Sequence, residues 1–171
     1  LEKTVSYGKG TKNGPREIIK ASHQVELYDE EFNCEPYKKI GIKTLKPFKI
    51  DKNIKKALSR ISKINEKILK KGIFPLTLGG EHSITPGCIV PFTKKYKNLY
   101  ILHFDAHADL RNSYDGEKYS HASAMRRCLD HKNISIISFG IRNISKSEIP
   151  CLKKNSNRIK IFWAKDKKKW N

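Results

Sequence analysis

Residues 100–127 read YILHFDAHADLRNSYDGEKYSHASAMRR, and Asp-Ala-His-Ala-Asp at 105–109 sets two carboxylates and an imidazole on alternate positions directly behind an apolar run. Upstream, LGGEHS at 78–83 delivers His82 just past a glycine pair. Burying a carboxylate without a partner is costly, so two of them beside two imidazoles call for a cation. Side chains alternate with period two in an extended segment, which would send Asp105, His107 and Asp109 to one side. Together with His82 they make four ligands that two neighbouring strand ends could bring to one point. Oxygen and nitrogen donors without a thiolate suit Mn²⁺ or another borderline divalent ion better than a structural zinc cage. A bridging Asp105 would allow a metal pair, and two ions about 3.5–4 Å apart can acidify a shared water and present hydroxide to an electrophilic carbon.

Each residue alone has a plainer role. His82 could be hydrogen-bonded after its turn, Asp109 could cap the next one, and Asp105 could pair with a lysine. The combination of D-x-H-x-D with an earlier G-G-x-H-S favours metal. His103, inside the strand and in phase with Asp105, either supports the ligands or packs in the core. Glu81 reads as an orienting or surface group.

The elements that must position these residues alternate in type. GPREIIKAS (14–22) starts as a helix with Pro15 in its first turn. QVELYD (24–29) reads as a short strand. Residues 52–71 space Ile54, Ala57, Leu58, Ile61, Ile64, Ile68 and Leu69 as one apolar helix face, with lysines opposite. IFPLTLGGEHS (73–83) reads as a buried strand ending in the glycines, 84–97 as a helix, and LYILHFD (99–105) as the next buried strand. SHASAMRRCLD (120–130) is helical in pattern, while ISIISFG (134–140) and RIKIFWA (158–164) are rich in strand formers. Strands separated by helices predict a parallel sheet, and ligands of such sheets gather beyond the carboxyl ends of the strands.

A chain of 171 residues has the size of one domain and can bury roughly 70% of its unfolded surface. No segment approaches the ~20 apolar residues of a membrane helix, and LEKTVSYGKG at the start has no apolar stretch of the secretory kind. A cytoplasmic protein is expected. Cys34, Cys88, Cys128 and Cys151 are scattered without a C-x-x-C pair and read as reduced thiols. The net charge of +19 admits polyanion binding. Against it, the excess is mostly lysine on a solvated helix face, without interleaved aromatics or a nucleic-acid-binding motif.

GGEHS (79–83), DAHAD (105–109) and SHASAMRR (120–127) together resemble the ureohydrolase family of arginases and agmatinases. YSHASAMRR and SYGKGTKNGPREIIKAS look closer to agmatinases, and SFGIRNISKSE and KIFWAKD extend the resemblance through nearly the whole chain. It implies a three-layer αβα sandwich around a mainly parallel sheet, incomplete on its C-terminal side, with residues 1–171 as a single partial domain. It further implies that His82 and Asp109 hold one manganese, His107 the other, and Asp105 both. A bridging hydroxide, which Asp109 also orients, would attack the guanidinium of agmatine to release urea and putrescine. His121 matches a histidine linked to proton transfer or substrate contact, a task suited to an imidazole that titrates near neutrality.

The pattern also departs from the family's. Ureohydrolases draw further ligands from a later D-x-D strand end and commonly a distal glutamate, and neither follows before KIFWAKDKKKWN closes the sequence. The expectation is a truncated chain whose second metal site is weak and whose urea release is small. Homo-oligomers are expected of the intact protein. Two alternatives stand beside the agmatinase-like reading: hydrolysis of arginine, guanidinobutyrate or formiminoglutamate, and a non-catalytic basic protein that binds polyanions.

Overall fold

A computed structural model describes residues 1–170. Helices α1 (Gly14–Ala21), α2 (Pro36–Ile40), α3 (Ile54–Lys70) and α4 (Thr85–Lys95) precede a strand, β1 (Leu99–Phe104); α5 (Ala124–Cys128), β2 (Ile134–Ile141), α6 (Ile149–Lys154) and β3 (Ile159–Trp163) follow. The three strands form one parallel sheet in the order β1-β2-β3. This is the α/β alternation that the hydropathy pattern predicts.

Register explains how the sheet divides its residues between faces. Leu99, Ile101 and His103 of β1 sit beside Ile134, Ile136 and Ser138 of β2, and Ile136 and Ser138 pair with Ile159 and Ile161 of β3. This face is covered. Its isoleucines pack with Ala124, Met125, Cys128 and Leu129 around α5, with Cys151 and Leu152 of α6, and with Ile89 of α4. The opposite face carries Tyr100, Leu102 and Phe104 next to Ser135, Ile137 and Phe139. There Phe104, Phe139 and Phe162 stack in a row with ring centroids 5.1 and 4.7 Å apart, and Phe104 remains 74% exposed. Among the described residues, most of the helical cover thus lies on one side of the sheet, while on the other Trp170, after a 3₁₀ segment (Ala164–Lys169), sets its ring at a steep angle to Phe139 and Phe162.

The amphipathic helix α3 begins where Asn53 accepts a hydrogen bond from the Lys56 amide, and it buries Ile54, Ala57, Leu58 and Ile61. Its closest neighbour is α4. A Cβ built on Gly87 of α4 would lie 2.8 Å from the Leu58 carbonyl oxygen, so glycine permits this approach. Backbone cannot rotate away as a side chain can. Gly87→Ala is therefore expected to lose about 2 kcal/mol, an overpacking penalty of about 3 offset by about 1 of helix propensity. Urea unfolding that shows equal or greater stability would contradict this account of the packing.

Two expected strands are not formed. Residues 73–78 join no ladder, and Phe74 is 83% exposed. Gln24 ends a 3₁₀ turn (Ser22–Gln24), and residues 25–29 form a loop whose one bridge joins Asp29 to Cys34. β-Branched and aromatic residues supply propensity, but a strand also needs a neighbour's backbone groups, and none of the described strands pairs with either segment. The short helices α2 and α6 were absent from the sequence-based expectation. For α6 the signal was present: Ser145 and Glu148 form a capping box ahead of Pro150.

Candidate metal centre

The carboxyl end of β1 organises the site. β1 stops at Phe104, and the chain then leaves the extended path. The Ala106 carbonyl accepts from the amides of Arg142 and Asn143 beyond β2, and Asp109 adopts a left-handed backbone with φ of 51°. Aspartate tolerates that conformation better than most residues do. The expectation that Asp105, His107 and Asp109 share one side of an extended segment is corrected here. The turn folds Asp109 back toward His82, while His107 stays 61% exposed.

Two groups fix this turn from below. The Glu148 carboxylate, buried under the loop, accepts from the Leu110 amide at 2.8 Å and from the Ser145 amide at 2.7 Å. The Asp109 carbonyl accepts from the Arg126 amide at 3.0 Å, tying the loop to α5. His82 arrives from the other direction, in a 3₁₀ turn (His82–Ile84) that leads into α4.

His82, His103, Asp105 and Asp109 each offer a ligand atom, and these atoms all lie within 4.8 Å of one another. His82 Nδ1 is 2.6 Å from Asp109 Oδ2 and 3.7 Å from Asp105 Oδ2. His107 lies outside this group, with Nδ1 3.4 Å from Asp105 Oδ1. The two oxygens of Asp105 therefore face different partners: Oδ2 looks toward His82 and His103, and Oδ1 toward His107. His121 sits apart, in a 3₁₀ turn (His121–Ser123) before α5, with its ring edge against Tyr114.

His103 extends the four residues singled out from the sequence. It is only 5% exposed, its ring stacks on His82 at 5.3 Å, and its Nδ1 is 3.0 Å from Ser138 Oγ. Its Nε2 is buried without a hydrogen-bond partner and stands 3.5 Å from Asp105 Oδ2, close enough for attraction but short of a completed bond. An orphaned polar atom of this kind costs about 1–3 kcal/mol. Two imidazoles and two carboxylates around it make a donor set that fits a divalent cation, which would satisfy that nitrogen and balance the acids. Period-two alternation already placed His103 in phase with Asp105. The roles of Ser138 and Glu148 depend on strand register and loop packing, which no local pattern announces.

Burial pushes the Asp105 carboxyl up, yet His103 at its Oδ2, the His107 amide donating to Oδ1 at 2.8 Å and the nearby His82 ring outweigh burial. The group is held well below the usual carboxylate range. It stays an anion wherever the protein is folded near neutral pH. Cys128, by contrast, is buried behind the sheet and its thiol is pushed far up by desolvation, which leaves it inert.

Residues 1–171, the whole sequence, match the family model described as Arginase family. The chain belongs to the arginase family. Among its relatives, N(1)-aminopropylagmatine ureohydrolase of Synechocystis sp. is 32% identical over 96% of this chain and 55% of its own length. Agmatinase of Bacillus anthracis is 39% identical over 86% of this chain and 51% of its own. The crystal structure of agmatine ureohydrolase of Thermoplasma volcanium superposes with a TM-score of 0.85 at 29% identity, covering 98% of this chain and 56% of that one. The chain spans about half the length of the relatives it matches. The arginase-family assignment agrees with the resemblance carried by GGEHS and DAHAD. No helix among the described residues is long and apolar enough to cross a membrane.

Proposed function

We propose that this chain carries the metal-gripping part of an agmatinase-like hydrolase that cleaves the guanidinium of agmatine to putrescine and urea. The observation that carries the reading is the convergence of His82, Asp105 and Asp109, backed by His103, at the carboxyl edge of a parallel sheet. Similarity to relatives whose names specify agmatine chemistry supports the substrate. In this reading His82 and Asp109 would hold one manganese and His107 a second, with Asp105 able to serve both, as the two directions in which it presents its oxygens allow. Bound there, the metal pair supplies an acidified water and polarises the reacting group. Asp109 accepts a hydrogen bond from the attacking water and sets its direction. His121 takes up the proton that the attacking water releases and hands it to the departing amine.

The substrate is a cation and the protein carries +19. Screening confines that repulsion to about 8 Å at physiological ionic strength, so the local carboxylates decide the encounter. Only His107 and a shared Asp105 serve the second ion, so this site is weak in the 171-residue chain. We read residues 1–171 as one partial domain of a cytoplasmic protein whose complete form is a homo-oligomer.

The test measures urea and putrescine from agmatine with manganese present, using this chain and the complete product of its gene. Arginine, guanidinobutyrate and formiminoglutamate are run in parallel. The expected result is preference for agmatine by kcat/KM in the complete product and far slower release from this chain. Preference for another guanidino or formimino compound would move the substrate. Absence of hydrolysis with every substrate, in a complete product that binds manganese, would overturn the reaction.

A further inference from the structure

The residues just after the start of the chain reach the one proposed catalytic group that lies away from the metal ligands. Glu81 is buried, and its carboxylate gathers three donors from that segment. The Lys3 amide donates at 2.7 Å, the Thr4 amide at 3.0 and 3.2 Å to the two oxygens, and the Thr4 hydroxyl at 2.7 Å. Close backbone contact reinforces this dock. The Glu81 amide donates to the Leu1 carbonyl at 3.2 Å, and a Cβ on Gly80 would stand 1.9 Å from that same oxygen. Glycine at 80 is therefore required by the approach of Leu1.

Thr4 passes the constraint on to His121. Its Oγ1 accepts the His121 amide at 3.0 Å and lies 3.4 Å from His121 Nδ1. A threonine hydroxyl has one proton and two lone pairs. The proton goes to the Glu81 carboxylate, which at this contact can only accept. Oγ1 is left with acceptor capacity alone, so the Nδ1 that faces it has to bring the proton. His121 Nε2 is then the unprotonated nitrogen, and the Ser6 hydroxyl at 3.2 Å is placed to donate to it. Of the two neutral tautomers of His121, this one alone pairs every group in the sequence Glu81–Thr4–His121–Ser6.

We propose that Glu81, acting through the Thr4 hydroxyl, fixes neutral His121 as the Nδ1–H tautomer and so keeps Nε2 as its basic nitrogen. This deepens the assignment of proton transfer to His121 and rests on that reading for its catalytic meaning. Glu81 and Thr4 are positioning residues: neither has to touch substrate. Ser6, exposed at the surface, is a placeholder that an incoming hydrogen-bonding group can displace from Nε2. The notion also gives Glu81 a purpose different from that of its neighbour His82, which turns toward the carboxylates.

The experiment is nitrogen-detected NMR of the ¹⁵N-labelled 171-residue chain at alkaline pH, where imidazoles are neutral. His121→Gln identifies the His121 signals. The expected pattern has Nδ1 in the pyrrole-type range and Nε2 in the pyridine-type range. Thr4→Val keeps the shape and removes the hydroxyl, and His121 is expected to swing toward the Nε2–H form that free imidazole side chains favour; Thr4→Ser is expected to restore Nδ1–H. An Nε2–H ring in the unaltered chain overturns the proposal, as does an unchanged tautomer in a folded Thr4→Val variant. If Thr4→Val does not fold, the unaltered chain and Thr4→Ser decide. The readout is independent of turnover: a locked Nδ1–H ring, together with a complete gene product that binds manganese but hydrolyses none of the substrates, upholds this inference and removes the proposed function.

Discussion

Replacing Asp105 and Asp109 together by asparagine is expected to abolish stoichiometric Mn²⁺ binding in calorimetric titration. Loss of a partner that merely orients a ligand weakens metal affinity roughly 10–100-fold, and direct removal of two anionic ligands exceeds that. Linkage supplies a second readout. A folded protein in 100-fold excess metal over Kd gains about 2.7 kcal/mol, so manganese should raise the unfolding midpoint of the unaltered chain and leave the double variant unmoved. Asp105 is held as an anion by His103, His82 and the His107 amide, and Asp109 by His82, so the variant without metal should unfold somewhat more easily than its parent, and the effect of manganese is read within each protein. A double variant that still binds one equivalent would remove the cluster of His82, His103, Asp105 and Asp109 as the metal centre.

Glu148→Ala is expected to be the most destabilising single change near the site, at about 3–5 kcal/mol. The carboxylate holds two backbone donors, Leu110 and Ser145, and a hydrogen bond of this charged kind contributes about 1.5–3 kcal/mol. No neighbouring side chain replaces it under the loop. Because Leu110 follows Asp109 directly, the same variant should loosen the left-handed turn and weaken manganese binding even where the chain remains folded. Urea unfolding checks the first effect through a shift in midpoint at constant slope. A change below about 1 kcal/mol would mean that the loop holds itself, against the requirement that buried amides be paired.

How much of this could be read from residue order alone follows from which interactions are local. The lysine-rich helix was legible because Ile54, Leu58 and Ile61 recur at helical spacing and are the residues buried. β1 was legible because an apolar run stops at Asp105, and His82, Asp105 and Asp109 were legible because carboxylates and imidazoles are rarely set so close at strand ends. The segment around Phe74 was misjudged because a ladder belongs to two strands, and one sequence window shows only half of it. His107 was expected beside Asp109 on the basis of period two, which fails once φ turns positive at 109. Thr4 gave no signal of its own: its partner Glu81 lies 77 residues away, and only the folded chain makes them neighbours.

The sheet face that carries Tyr100, Leu102 and Phe104 has a bearing on how the chain behaves in concentrated solution. One molecule presents an oily panel of these exposed side chains to the next, while a charge of +19 drives the two apart. At low ionic strength repulsion governs and the molecules stay dispersed. Added salt shortens the reach of that repulsion and leaves the panel's attraction intact, so colloidal stability falls in the very conditions that usually keep basic proteins dissolved.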